Sequence, residues 1–259
     1  TLRSSSAASD VYKRQDDQRT AILTERGNIY TTGYNGSGWM GNGNTTALNT
    51  FTICSNGCGN AANSDAHNMW FTGCANYPNF WIEDSMGNIQ CAGYNNYYNL
   101  GIGNNTTQNS FQTPKVQIGS NTQKDIRNVK QISSYSHYND TSVRILTWDG
   151  IMYSAGRNTY GMAAVGFSSG NCNTDRDAEN GKEHFNDGYF IQNKVPSSLM
   201  ANVEDVNGCG YGDNSDNNYG FFEYKSFDNR YYINGYGGSY MQGQWDGQYV
   251  TIPHPPICL

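Results

Sequence analysis

Acid–base chemistry in this chain of 259 residues would have to use one of only four histidines, which stand at positions 67, 137, 184 and 254. A side chain that transfers protons needs hydrogen-bonding reach to the reacting group and, in many sites, to a second residue that orients it. The four histidines fall into no such constellation with a nucleophile or a carboxylate. The sequence therefore predicts no catalytic residue.

Carboxylates are densest where Asp175, Asp177 and Glu179 are followed by the pair Glu183-His184. Such a cluster could bind Ca²⁺, and a hydrolase with a metal in this loop is one alternative function. The cluster lacks the spaced ligands and the turn glycine of a calcium loop. Residues 213–216 (Asp-Asn-Ser-Asp) are ambiguous in the same way. We predict solvated acidic loops, no bound metal and no cofactor.

Seven cysteines make an odd number, which does not fit the even framework of a small disulfide-rich domain. Cys54, Cys58, His67 and Cys74 could be read as a zinc set, but their spacing is irregular for zinc. Three interpretations stay open: a metal site, one local disulfide, and free thiols, of which the sequence favours the last. Cys91 occupies a strand position and is predicted to be a small buried side chain.

The composition excludes several classes of protein. Charged residues make up 15 % of the chain and the net charge is -6, whereas nucleic-acid binders carry a basic stripe. The densest basic set, Lys124, Arg127 and Lys130, is predicted to be a solvated face. There is no apolar run long enough for a transmembrane helix. We therefore predict no nucleic-acid partner and no membrane insertion.

A short pattern recurs four times, and it predicts stacked copies of one supersecondary unit. In each copy a β-rich run leads to a turn and then to a second strand. The turn residue is glycine three times and asparagine once, at Gly27, Gly87, Gly150 and Asn229. These two residue types accept left-handed backbone angles most readily, so the substitution pattern predicts a tight hairpin turn with positive φ.

Small residues recur after each turn as well. Six positions beyond the turn residue stand Gly33, Gly93, Gly156 and Gly235, which predict close backbone approach or a bend at the strand end. Eight positions further along stand Gly41, Gly101, Ala164 and Gly243, with apolar residues beside them that we expect to fill the space between units.

This progression resembles the repeat of the regulator of chromosome condensation family. The segment before the third copy is similar to the family's order: Pro114-Lys115-Val116, then residues 126–137 ending in His137, then Ile145-Leu146. The resemblance implies an all-β fold, a β-propeller of four-stranded antiparallel blades, and a structural role for His137. Four units are fewer than the family's full ring, so we expect a partial propeller, a fragment of about four blades.

The spacings between successive turn residues exceed the family's period and predict loop insertions within residues 50–69 and 168–190. We predict units at 16–50, 51–113, 114–190 and 191–259. Residues 1–15 match a translated sequencing adapter and are predicted to be a non-native tail.

We predict a non-enzymatic binding module whose partner is a protein or a surface glycan. Aromatic residues after the repeat glycines would form its contact surface, because tyrosine and tryptophan supply large, rigid, amphipathic area. The composition favours a phage tail fibre or a bacterial surface protein, and hence an extracellular, cell-surface or virion location. A secreted inhibitor and a propeller for nucleotide exchange on a GTPase are further alternatives. The predicted contact residues are Tyr34, Trp39, Tyr94, Tyr97, Tyr160 and Tyr236.

Overall fold

The computed structural model describes residues 12–15, 18–54, 65–73, 77–119, 121–137, 140–157, 188–193, 202–212, 218–236 and 249–254. Within these ranges every regular element is a β-strand, and helices are absent from them. The predicted all-β class is thereby confirmed. No described segment forms a helix long and apolar enough to cross a membrane.

Four sheets follow one another along the chain, and each has four antiparallel strands in sequence order. The first comprises β1 (Tyr12–Gln15), β2 (Arg19–Leu23), β3 (Ile29–Gly33) and β4 (Leu48–Ile53). The second comprises β5 (Ala66–Thr72), β6 (Asn79–Asp84), β7 (Ile89–Gly93) and β8 (Gln108–Gln112). A hairpin of β9 (Lys115–Gly119) and β10 (Thr122–Asp125) follows it.

The third sheet comprises β11 (Val129–His137), β12 (Asp140–Thr147), β13 (Met152–Gly156) and β14 (Ile191–Gln192). The fourth comprises β15 (Val203–Gly212), β16 (Asn218–Ser226), β17 (Tyr231–Tyr236) and β18 (Tyr249–His254). We refer to the four sheets as units one to four. The predicted propeller blades are therefore present as a series of four-stranded antiparallel sheets.

The recurrent turn joins the second and third strands of every unit. Its key residue has positive φ in all four copies: 74° at Gly27, 76° at Gly87, 78° at Gly150 and 61° at Asn229. In unit one the Gly27 N–H donates to the Thr24 carbonyl at 2.9 Å, and the other three turns repeat this bond. The glycine-or-asparagine pattern thus corresponds to a left-handed backbone position.

The glycines that end the third strands of units one and two lie where two backbones meet. A Cβ atom placed on Gly33 would lie 2.2 Å from the carbonyl oxygen of Gln18, and one on Gly93 would lie 2.1 Å from that of Pro78. The next residue in each case donates its N–H to the same carbonyl, at 3.0 Å. Only a residue without a side chain leaves room for this bond.

Apolar side chains fill the spaces between successive sheets. Trp39, Phe71 and Phe80 form edge-to-face pairs between units one and two. Trp81 packs with Phe190 in the core between units two and three. A third core lies between units three and four and contains Phe222 and Tyr224. Facing sheets therefore bury their apolar sides by stacking on one another, as propeller blades do.

The predicted unit boundaries at residues 50 and 190 do not coincide with the ends of the sheets in the structure. β4 continues past residue 50 to Ile53, and β14 begins at residue 191 but pairs with β13 of unit three. Both are fourth strands that follow a long connection, where the repeat pattern is weakest. Residues 12–15, which we had assigned to the tail, pair with β2 as β1. Their origin from an adapter remains a prediction.

Glu83 connects unit two to the start of unit three and makes stability depend on pH. Its Oε1 accepts the N–H of Val129 at 3.1 Å. Burial raises the pKa of this carboxyl, and the Val129 hydrogen bond only partly offsets that effect. A folded-state pKa above the unfolded value means that ionisation costs stability, which is therefore lost as the pH rises through the folded pKa.

We expect Glu83→Gln, which retains an acceptor for Val129, to stabilise the chain at pH 7. The gain should shrink as the pH falls to about 4, where the unfolded carboxyl is protonated as well. Urea unfolding midpoints between pH 4 and pH 7.5 measure it. An equal gain at both ends of this range would show that ionisation of Glu83 is not its cause.

Candidate binding surface

The strand order places two kinds of connection at opposite edges of each sheet. The turn edge carries the hairpin turns 24–28, 84–88, 147–151 and 226–230. The loop edge carries the connections from first to second strand and from third to fourth strand, among them residues 34–47 and 94–107. Tyr34, Trp39, Tyr94 and Tyr97 follow strand-end glycines in the described part of the chain, and they therefore belong to the loop edge.

Three tyrosines and an arginine come together at the loop edge of unit two. The rings of Tyr77 and Tyr94 lie 4.5 Å apart between centroids, and those of Tyr94 and Tyr97 lie 6.4 Å apart. Arg157 comes directly after Gly156, which ends β13 of unit three. Its guanidinium carbon lies 5.6 Å from the centroid of the Tyr97 ring. We call these four residues the tyrosine cluster. Tyr77, Tyr97 and Arg157 are half-buried, so the cluster is partly open to solvent.

Buried asparagines hold the loop beneath the cluster. The side-chain amides of Asn79 and Asn99 both donate to the Tyr94 carbonyl, at 2.5 and 2.7 Å. Asn95 accepts the Leu100 N–H at 2.9 Å and donates to the Asn104 carbonyl at 2.7 Å. A loop whose backbone groups bond to buried side chains is pre-ordered and loses little entropy on binding.

Unit one repeats this scaffold with a different surface. Asn35 accepts the Met40 N–H at 3.1 Å and donates to the Asn44 carbonyl at 3.0 Å, as Asn95 does in unit two. Tyr34 stands at the position of Tyr94 but is 44 % exposed, whereas Tyr94 is 7 % exposed. Tyr77 packs on Tyr94. The exposure of this repeat position therefore depends on the neighbouring connection.

Two of the predicted contact residues are buried, which corrects the prediction for them. Trp39 is 0 % exposed and packs on Phe71 and Phe80, and its indole N–H donates to the Tyr34 carbonyl. Tyr94 is nearly as buried and is the member of the cluster against which Tyr77 and Tyr97 pack. Trp39 thus fills the space between units one and two instead of facing a partner.

The other predicted positions divide between the described and undescribed parts of the chain. Tyr34 and Tyr97 are accessible, as a contact surface requires. Tyr160, Gly243 and the side chain of Tyr236 lie outside the described residues. The role of the accessible tyrosines in binding stays a prediction.

Our sequence-based prediction missed Tyr77 and Arg157. Arg157 follows Gly156 directly, so it occupies the repeat position of Tyr34 and Tyr94, and this register could have identified it. Tyr77 precedes Pro78 in the connection between the first and second strands, which carries no repeat signal. Its proximity to Tyr94 depends on the tertiary fold.

Catalytic and metal-binding groups can be judged only for the part of the chain that is described. There, three or more His, Cys, Asp or Glu residues nowhere come close enough to hold a metal ion. Cys54 and Cys91 are buried free thiols, and burial raises the pKa of Cys91 well above its usual value. The acidic clusters at 175–184 and 213–216 lie outside the described residues.

The chain matches no protein-family model and no curated protein. Its fold is similar to that of human WBSCR16, with a TM-score of 0.61 and 13 % identity over 99 % of this chain and 55 % of that one. Prp20p from Saccharomyces cerevisiae has a TM-score of 0.61 and 13 % identity, over 96 % of this chain and 51 % of that one.

Yeast RCC1 (Prp20), in the crystal structure bound to Kap60, has a TM-score of 0.62 and 12 % identity, over 97 % of this chain and 50 % of that one. Identities this low show the fold alone. The fold is thus that of the RCC1-like β-propellers, and the chain spans about half the length of these solved structures.

Proposed function

We propose that this chain is a non-enzymatic binding module that holds a protein partner at the loop edge of unit two. The tyrosine cluster is the observation that carries the proposal. It combines stacked rings, an arginine over the outermost ring and a loop fixed by buried asparagines. These groups supply contact area and hydrogen bonds, which is what a binding surface requires.

Tyrosine and arginine are the residue types enriched in the energetically dominant part of protein interfaces. Their rings and guanidinium planes bury large areas while losing few rotatable bonds, and the tyrosine hydroxyl can still bond to the partner. The stacking of Arg157 on Tyr97 holds both side chains in place before the partner arrives. Binding at such a site loses less entropy than binding to mobile side chains.

The structural neighbours support a protein partner as the class of ligand. The published description of Prp20p concerns its binding to Gsp1p and histones, and the other yeast structure is bound to Kap60. Nucleotide exchange on a GTPase is compatible with this likeness. A place in a virion fibre or on a cell surface rests on composition alone, and a hydrolase has no described residues in its support.

Substituting Tyr97 with alanine tests the proposal. Peptides that bind the wild-type chain can be selected from a displayed random peptide library, and their affinities measured by biolayer interferometry. We expect Tyr97→Ala and Arg157→Ala each to weaken binding about tenfold or more, the size typical of a dominant interface residue. Thermal unfolding of each variant should show that the fold is intact.

Tyr231→Ala is the matched control, because Tyr231 is an exposed tyrosine of unit four beside the opposite edge. It should leave the affinity within about twofold. The proposal fails if selected peptides bind Tyr97→Ala and Arg157→Ala as tightly as wild type. It fails equally if no selected peptide binds the wild-type chain above background.

A further inference from the structure

A groove of about 610 Å³ lies at the turn edge of unit three, away from the tyrosine cluster. One wall is the turn that carries Trp148 and Asp149, and the other is the segment from Lys124 to Asn128 that enters the unit. This volume falls within the range of about 300–1,000 Å³ found for small-molecule sites. The groove is therefore large enough for one or two sugar rings.

Trp148 is 69 % exposed, and nothing in the fold requires an aromatic residue at its position. The equivalent turn positions of units one and two hold Glu25 and Ser85. The backbone N–H of Trp148 donates to the Asn128 carbonyl at 3.0 Å, which fixes the turn against the facing wall. Lys130 Nζ lies 5.5 Å from the centroid of the indole and covers it on one side. The indole is thus a held, flat, apolar platform beside the groove.

The groove offers donors and acceptors without a net charge. Its lining carries two cations, Lys124 and Arg127, and two carboxylates, Asp125 and Asp149, and Arg127 pairs with Asp125 of the same wall at 3.8 Å. Asp149 accepts a hydrogen bond from the Thr147 hydroxyl, which orients its carboxylate. The predicted solvated face of Lys124, Arg127 and Lys130 agrees with the exposure of Lys124 and Arg127, which two carboxylates accompany. A strongly charged ligand gains no net attraction from such a balanced set, because its attraction to one sign is offset by repulsion from the other.

Unit four repeats the same turn chemistry. Phe227 and Asp228 stand at the positions of Trp148 and Asp149, and Ser226 donates to Asp228 as Thr147 does to Asp149. Phe227 is 59 % exposed, and Lys130 Nζ lies 5.0 Å from its ring. Lys130 therefore contacts both exposed rings and joins the two turns into one surface. A repeated platform suits a ligand that is itself repetitive.

We propose that this turn edge is a binding site for neutral saccharides. The C–H face of one sugar ring stacks on Trp148, while its hydroxyls bond to Asp149, Asn128 and the two cations of the groove. Apolar contact with an aromatic platform, combined with neutral hydroxyls that both donate and accept, matches the lining of this groove. Phe227 and Asp228 form a second, weaker subsite for a neighbouring sugar of the same chain.

An array of immobilised oligosaccharides, both neutral ones and counterparts bearing uronic or sialic acid, tests the proposal. The neutral oligosaccharide that binds best is then titrated by calorimetry. We expect Trp148→Ala to weaken its affinity about tenfold or more, which corresponds to about 1.4 kcal/mol. Trp148→Phe keeps the platform and should lose less than Trp148→Ala, and Phe227→Ala should cause a smaller loss than either if it is a second subsite.

Met86→Ala is the matched control, because Met86 is an exposed apolar residue in the corresponding turn of unit two. It should leave saccharide affinity unchanged, and Tyr97→Ala should too, which separates this site from the protein-binding surface. The inference is wrong if no neutral oligosaccharide binds, if only acidic ones bind, or if Trp148→Ala binds as well as wild type. Its failure would leave the loop-edge proposal standing.

Discussion

Replacing Trp39 with alanine is expected to lower the free energy of unfolding by about 3–5 kcal/mol, the range for removing a large buried aromatic side chain. The indole is fully buried between units one and two, where it packs edge-to-face on Phe71 and Phe80. Alanine would leave a cavity lined by these rings. It would also remove the indole donor from the Tyr34 carbonyl.

Trp148→Ala is the control for this experiment, since the same substitution at an exposed site creates no cavity. We expect its unfolding free energy to stay within about 0.5 kcal/mol of wild type. Urea denaturation followed by circular dichroism measures both. If the two variants lose equal stability, Trp39 does not lie in a packed interface between units.

Gly93→Ala is expected to destabilise the chain by about 3 kcal/mol or more. The added Cβ would lie 2.1 Å from the Pro78 carbonyl oxygen. The backbone at Gly93 also has a φ of 118°, which residues with a side chain rarely adopt. Steric overlap and backbone strain therefore act together. Relief would require the end of β7 to move away from the connection before β6. That movement breaks the hydrogen bond from the Tyr94 N–H to Pro78 and displaces Tyr94 within the cluster.

Gly119→Ala is the matched control, because its nearest neighbour would lie 3.7 Å from the new Cβ and its φ is ordinary. This variant should keep its free energy of unfolding within about 0.5 kcal/mol of wild type. Thermal and urea unfolding of the pair measure the difference. Equal behaviour of Gly93→Ala and Gly119→Ala would mean that the strand end is not closed against Pro78.

Arg144 is a residue whose burial differs from what its residue type predicts. A charged side chain in a strand is ordinarily expected at the surface, yet Arg144 is fully buried between units three and four. Its guanidinium carbon lies 4.1 Å from the centroid of Phe222, and its Nε donates to the Tyr224 hydroxyl at 3.4 Å. The repeat pattern does not predict this, because the equivalent residues in the other units are Ala21, Trp81 and Glu223, which share neither size nor charge.

The two edges of the sheets differ in how much of their surface the sequence predicted. The loop edge was anticipated from the aromatic residues that follow the strand-end glycines. Trp39 and Tyr94 were wrongly assigned to its surface, because burial depends on what the adjacent unit or connection supplies. The groove at the turn edge is not predicted by the repeat, since the position of Trp148 is aromatic only in units three and four and the groove is completed by residues 124–128 of a different segment.

The sequence alone determined the hairpins, their turn residues and the succession of like units, because these depend on local backbone angles and on short-range alternation of side chains. Glycine or asparagine at a left-handed position constrains the chain without any distant contact. Only the tertiary structure decided which aromatic side chains are buried, where the fourth strands pair and which residues meet in the cluster and the groove. Those outcomes depend on contacts between segments far apart in the chain, which no local pattern encodes.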